Sequence, residues 1–286
     1  MEKEEYLARH AGILQGLNKL GLTSDIVDFR PYINTMSEYL PNKREALMRF
    51  STGLQIVADS LIEKPKLVPL GIVYQTLASL SAVQAVENGL NLEVHHFHIY
   101  NVAQKIGDVE YGPDKLMTIN QAAGVSKTLQ DRGITLGLVH GHFRLPTPSS
   151  IAFIINSHRE ARVILTGVES RKRTEEFKMK EVILTDEERV KTFRTLMPFV
   201  FQIGNETEYS NAGYRELVRK ISPNVYIGQS DNPPELKAEM QVRASLVEGC
   251  RYAEIVNLPG LSTSEMYDEL MRVGGGQDYF LDLFNS

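Results

Sequence analysis

From Lys115 onward, short apolar runs alternate with longer amphipathic stretches, and no other feature limits the fold as strongly. The runs "ITLGLVH", "RVILTGV", "FVFQIG", "NVYIGQ" and "AEIVNL" have the length and apolar character of buried strands. Between and around them lie "TINQAAGVSKTLQDRG", "TPSSIAFIINSHREA", "TDEERVKTFRTL", "NAGYRELVRKI", "ELKAEMQVRASLVEG" and "STSEMYDELMRV", each spaced as a helix. Strands separated by helices of ten or more residues predict an α/β fold, a Rossmann-like parallel sheet with helices on both faces. Ligands of such sheets sit beyond the carboxyl ends of the strands, near the point where strand order reverses.

The preceding residues read differently. "EEYLARHAGILQGLNKLGL", "NKREALMRFSTGLQIVADSLIE" and "PLGIVYQTLASLSAVQAVENGL" carry apolar stripes at helical spacing, and only "LEVHHFHIYNV" looks like a strand. We therefore expect a mainly helical N-terminal domain over residues 1–112 and an α/β domain over 113–286. Formal charge −5 argues against a broad nucleic-acid-binding surface, and Cys250, the single cysteine, excludes an internal disulfide. A reducing cytoplasm is the expected setting, because the acidic start "MEKEEYLARH" does not read as a signal peptide. No apolar run approaches the roughly 18 residues of a membrane span, so no membrane partner is expected.

The stretch "GLVHGHFRLPTPSSIAFII" (Gly137–Ile155) joins a strand to a helix through the loop of greatest interest. Thr147 suits the N-cap and Pro148 the first helical position, leaving Ser149 and Ser150 beside unpaired backbone N–H groups. A helix start with three hydroxyls can seat an anion. Accelerating a reaction at that anion is a separate demand, since losing one preorganised donor typically costs about 2.7–4 kcal/mol of transition-state stabilisation. His140, His142 and Arg144 are the nearby groups that could make up such a loss, or they are loop residues without a chemical task.

An ordered set of elements runs over about Lys115–Arg272. They are the helix end, strand and Gly-x-Phe of "DRGITLGLVHGHF" (Gly141, Phe143); the lysine-bearing segment and acidic-Arg helix start of "RTEEFKMKEVILTDEER" (Lys178 or Lys180, then Arg189); "SPNVYIGQSD" (Pro223, Val225, Gly228, Asp231); and "PGLSTSEMYDEL". In this order the chain resembles the cytidylyltransferase-like nucleotidyltransferases, in particular the nucleotidyltransferase domain of ADP-heptose synthase and glycerol-phosphate cytidylyltransferase. The resemblance implies nucleotide or phosphate contacts from Gly141, Phe143, Thr147, Ser149, Ser150, Arg189, Gly228, Asp231, Ser262, Thr263 and Ser264. It also exposes departures: Thr147 and Ser150 stand at the two histidines of the family's His-x-Gly-His motif, Ser149 at its glycine, Arg144 at the loop aspartate and Ile227 at a lysine. In that family the two histidines stabilise charge on the phosphate under attack.

Three readings follow. The first is a nucleotidyltransferase-fold protein that binds a nucleotide or sugar-phosphate-type ligand with transferase activity reduced or lost. The second is an active enzyme, with Mg²⁺, joining CTP or ATP to a sugar- or polyol-phosphate through His140, His142, Arg144 and a lysine of the 172–180 segment such as Lys178. The third is a non-enzymatic interaction protein. Glu265, Asp268 and Glu269 could help hold Mg²⁺ in the second; otherwise no cofactor and no resident metal is expected. Arg171, Lys172, Arg173, Lys178 and Lys180 read as a basic mobile loop, or as a solvated charge run. His96 and His98 share a strand face and read as packing rather than as metal ligands. The run Gly274–Gly276 precedes an apolar tail that would dock on the body or on a second subunit, making a homo-oligomer.

Overall fold

The computed structural model describes residues 43–87, 104–106, 109–111, 117–179, 182–196 and 199–256. The expectations for "EEYLARHAGILQGLNKLGL", His96, His98, Lys180, Ser262, Thr263, Ser264 and the Gly274–Gly276 run lie outside the described residues. Two compact units emerge, one of Met1–Phe97, Leu145–Ala152 and Leu258–Ser286, the other of His98–Arg144 and Phe153–Asn257.

In the first unit, helices α1 (Lys43–Ile62) and α2 (Val68–Glu87) are joined through a 3₁₀ turn at Pro65–Leu67. Leu47, Phe50, Leu54, Val57 and Leu61 of α1 recur every three or four residues and are buried, as are Leu70, Tyr74, Leu77 and Ala78 of α2. The helices approach closely at Gly71, where an added Cβ would come within 2.6 Å of Ile62 Cγ1. Ser51 Oγ donates across the pair to the Ala78 carbonyl at 2.8 Å. Tyr74, fully buried, donates its hydroxyl to the Pro146 carbonyl at 2.8 Å, tying the Leu145–Ala152 segment to α2.

The second unit opens with a short antiparallel hairpin, β1 (Gln104–Ile106) and β2 (Val109–Tyr111), that the sequence pattern did not announce. Its body comprises α3 (Ile119–Asp131), β3 (Leu136–Gly141), α4 (Pro148–Asn156, shared with the first unit), β4 (Val163–Glu169), α5 (Arg171–Lys178), α6 (Asp186–Leu196), β5 (Phe199–Ile203), α7 (Asn211–Ile221), β6 (Val225–Gln229), α8 (Pro234–Ser245) and β7 (Arg251–Ile255). The five strands β3–β7 form one parallel sheet in the order β5-β4-β3-β6-β7. The chain starts at the centre, builds outward through β4 and β5, then returns to add β6 and β7 on the other side. This is the Rossmann-like arrangement, and its reversal point lies between β3 and β6.

Local chemistry sets these boundaries. Thr118 caps α3 in a capping box with Gln121, and Gly133, at φ +70°, takes the left-handed turn beyond its end. Ile119, Ala122, Val125 and Leu129 of α3, with Leu217, Val218 and Ile221 of α7, form one core with Leu136, Leu138, Leu165, Phe199 and Phe201 of the sheet. Gly137 lets neighbouring strands close up, since a Cβ there would stand 2.8 Å from both Ile164 and Ile227. β3 pairs β4 along its whole length but pairs β6 only at Gly137–Val225 and Leu138–Tyr226, so β3 and β6 part toward their carboxyl ends. Among the described residues no helix is long and apolar enough to cross a membrane.

Candidate functional site

Three connections leaving the carboxyl edge of the sheet converge in the second unit. After β3 comes His142; after β4 come Ser170 and α5, which carries Arg173, Thr174 and Phe177; after β5 comes the 204–210 loop with Tyr209. Ser170 starts α5 by accepting the Arg173 N–H, and Ser210 starts α7 by accepting the Gly213 N–H. The stretch expected as a mobile basic loop is thus, over Arg171–Lys178, a capped helix. Its sequence hid this because Phe177 is its only large apolar residue.

Under this edge lies a polar floor. Glu169, at the end of β4, and Arg173, one turn into α5, form a buried ion pair. Tyr214 of α7 donates to Glu169 Oε1 at 2.6 Å. Burial pushes the Glu169 carboxyl above its ordinary value, although Tyr214 and Arg173 both favour its charged form. Arg173 also donates to the carbonyls of Gly204, Thr207 and Glu208, so one guanidinium fastens the loop after β5. Further in, Arg243 of α8 donates to the Tyr226 hydroxyl at 3.3 Å, and that hydroxyl lies 2.5 Å from His140 Nε2. The imidazole tautomer sets which of the two donates in that contact. Burial, and then the charge of Arg243, lower His140 to a pKa of about 3.

At the rim, His142 Nδ1 lies 3.2 Å from Thr174 Oγ1 and Nε2 lies 3.1 Å from the Tyr209 hydroxyl. Burial lowers His142 to about 4, with the charges of Lys178, Arg173, Arg189 and Arg144 adding to the effect. At pH 7 a group of that pKa carries its proton about one time in a thousand. His142 can therefore direct a hydrogen bond but holds no standing positive charge.

The residues singled out from the sequence separate into distinct groups. Gly141 and Phe143 serve the loop: Phe143 adopts φ +42°, its ring packs over Gly141 and meets Phe193 with centroids 4.7 Å apart. Arg189 is fully buried, donating to the His142 carbonyl at 2.7 Å and pairing with Asp186, contacts that shape this loop. Arg144 follows directly, and its buried Nε has no hydrogen-bond partner among the described residues. Lys178 is exposed at the end of α5, near enough for its charge to be the second cause of His142's depression. Gly228 makes room for Tyr252 and Met240, whose atoms would lie 2.6 and 3.0 Å from an added Cβ, and Asp231 is exposed in the turn after β6.

Thr147, Ser149 and Ser150 belong with the first unit. Thr147 is the expected N-cap: it accepts the Ser150 N–H at 3.2 Å, and its Oγ1 lies 3.0 Å from Ser149 Oγ and 2.9 Å from Ser150 Oγ. The three hydroxyls bond one another.

Sequence reading missed Glu169, Tyr209, Tyr214, Tyr226 and Arg243, which have site partners 17 to 86 positions away. The Glu169–Arg173 and Glu239–Arg243 pairs left a local trace, the i,i+4 spacing of opposite charges. Among the described residues no group of three or more His, Cys, Asp or Glu is placed to hold a metal ion. The chain matches no family model and no curated protein.

Proposed function

We propose that the sheet unit is a nucleotidyltransferase-like, cytoplasmic ligand-binding domain. It takes a nucleotide or a phosphorylated small molecule beyond the carboxyl ends of β3, β4 and β5, with transfer chemistry reduced or lost. Fold alone would not justify this. The observation that carries it is the state of His140 and His142, the two imidazoles available to replace the missing motif histidines. Both are held neutral near pH 7, and the His140 Nε2 and both His142 ring nitrogens have protein neighbours within hydrogen-bond distance. Phosphoryl chemistry asks for positive charge preorganised where negative charge develops. Lys178 here is an exposed cation, and Arg144 Nε is a buried donor without a hydrogen-bond partner among the described residues; these suit binding an anion.

Mg²⁺ belongs to the transfer reading, and two carboxylates of this edge, Glu169 and Asp186, are already engaged by the protein. Glu169 is taken by Arg173 and Tyr214, while Asp186 is taken by Arg189, Gln202 and the Arg171 N–H.

A thermal-shift series with ATP and CTP, each with Mg²⁺, tests the proposal. A nucleotide at 100 times its dissociation constant should add about 2.7 kcal/mol of stability. Transfer from CTP or ATP to a sugar-phosphate at ordinary turnover would overturn the loss of chemistry. The active-site reading draws on one observation, the convergence of the Lys178 and Arg144 charges on His142. It requires His142→Ala to abolish that turnover. Absence of any nucleotide-induced shift would favour an interaction protein.

A further inference from the structure

The rim carries a feature that the reading above does not use. Phe177, in the last turn of α5, lies parallel to Tyr209, with ring centroids 4.3 Å apart and planes 2° apart. It nonetheless stays 46% exposed. Tyr209 covers one face of Phe177, so the exposure falls on the other face and the edges. The Arg173 guanidinium lies 5.6 Å from the Phe177 centroid and 5.1 Å from that of Tyr209. Almost equidistant from two rings so close together, it sits beside the stack and leaves the outer face of Phe177 uncapped.

The inner ring is well fixed. The Tyr209 hydroxyl meets His142 Nε2, its ring meets Tyr214 edge-on at 5.9 Å, and the Thr207 and Glu208 carbonyls before it are gripped by Arg173. An aromatic face presented on so firm a support loses little freedom when a second ring settles on it. Lys178, the next residue, is exposed and supplies a point charge for a phosphate on the same molecule.

We propose that the outer face of Phe177 is a stacking platform for the base of a nucleotide whose phosphates are met by Lys178. Every base has a π-face, so purine and pyrimidine nucleotides are both accepted, and discrimination between them is left to other contacts. This rests on the nucleotide-binding reading.

The chain contains no tryptophan, which supplies a direct test. Phe177→Trp installs a single indole on the platform, and titration with ATP or CTP should quench its emission, whereas inorganic tripolyphosphate should not. In parallel, Phe177→Ala should weaken ATP binding about tenfold or more, the usual loss for one base–aromatic stack, and leave tripolyphosphate binding unchanged. If ATP binds the wild type and Phe177→Ala alters its affinity less than twofold, the platform is overturned while nucleotide binding stands. An equal loss for ATP and tripolyphosphate would also overturn the platform, by making Phe177 a structural support. Failure of both ATP and CTP to bind the wild type would overturn the platform and the nucleotide reading together.

Discussion

His140 and His142 sit two residues apart at one strand end, yet they belong to different regions. His140 stacks between Tyr214 and Tyr226 on a floor whose charged groups, Glu169, Arg173 and Arg243, are all committed to protein partners. His142 belongs to a rim where Phe177 and Lys178 remain exposed and Arg144 Nε is unmet. Residues of similar type thus do different work. On the floor they hold the loops in place; on the rim they face outward to whatever binds. Removing a floor residue should therefore cost folding, and removing a rim residue should cost little beyond binding.

The largest effect is expected from Arg173→Met. It strands a buried carboxylate and releases three loop carbonyls, and losing one partner of a buried ion pair costs about 3–5 kcal/mol. Denaturant unfolding would measure it, and a loss below about 1 kcal/mol would erase the contrast between floor and rim. Acid comes next. Both imidazoles are held below their ordinary value, so below about pH 6.5 the unfolded chain takes up protons that the folded chain refuses. Stability should fall with pH until it passes the folded values near 3 and 4. At pH 5 the cost is about 2 kcal/mol per histidine. Glu169, raised by burial, works in the opposite direction, so the cleaner quantity is a difference between variants. His140→Gln should lose about 2 kcal/mol less than wild type between pH 7 and pH 5. Equal losses would show that His140 titrates normally in the fold. The smallest effect is expected at the rim. Tyr209→Phe deletes one hydroxyl contact with His142 and should cost about 0.5–1.5 kcal/mol. A larger loss would move Tyr209 onto the floor.

The sheet was legible because its signals are local. "NAGYRELVRKI" reads as a helix and is α7 over the same residues, and Thr118 and Gly133 bound α3 where their chemistry says they should. α5 was not legible, since "RKRTEEFK" offers charge but no apolar period, and only the Ser170 cap marks its start. The β1–β2 hairpin, three residues a side, is too short for alternation to stand out. The site was legible only in part. His142 and Arg144 drew notice by their place after a strand, but the groups around His142 come from other elements. Arg189 illustrates the limit: its position suggested a ligand contact, whereas its partners are the His142 backbone and Asp186. Sequence shows which residues leave a strand end together; it does not show which of them the fold has already used.

Leu145–Ala152 leave the sheet unit in mid-connection, lodge with α1 and α2, and hand the chain back at Phe153. The unit of the helical pair therefore includes chain from within the β3–β4 crossover. Excising it would strip the lodging from a segment inside the β3–β4 crossover and strand the Pro146 carbonyl that Tyr74 now satisfies.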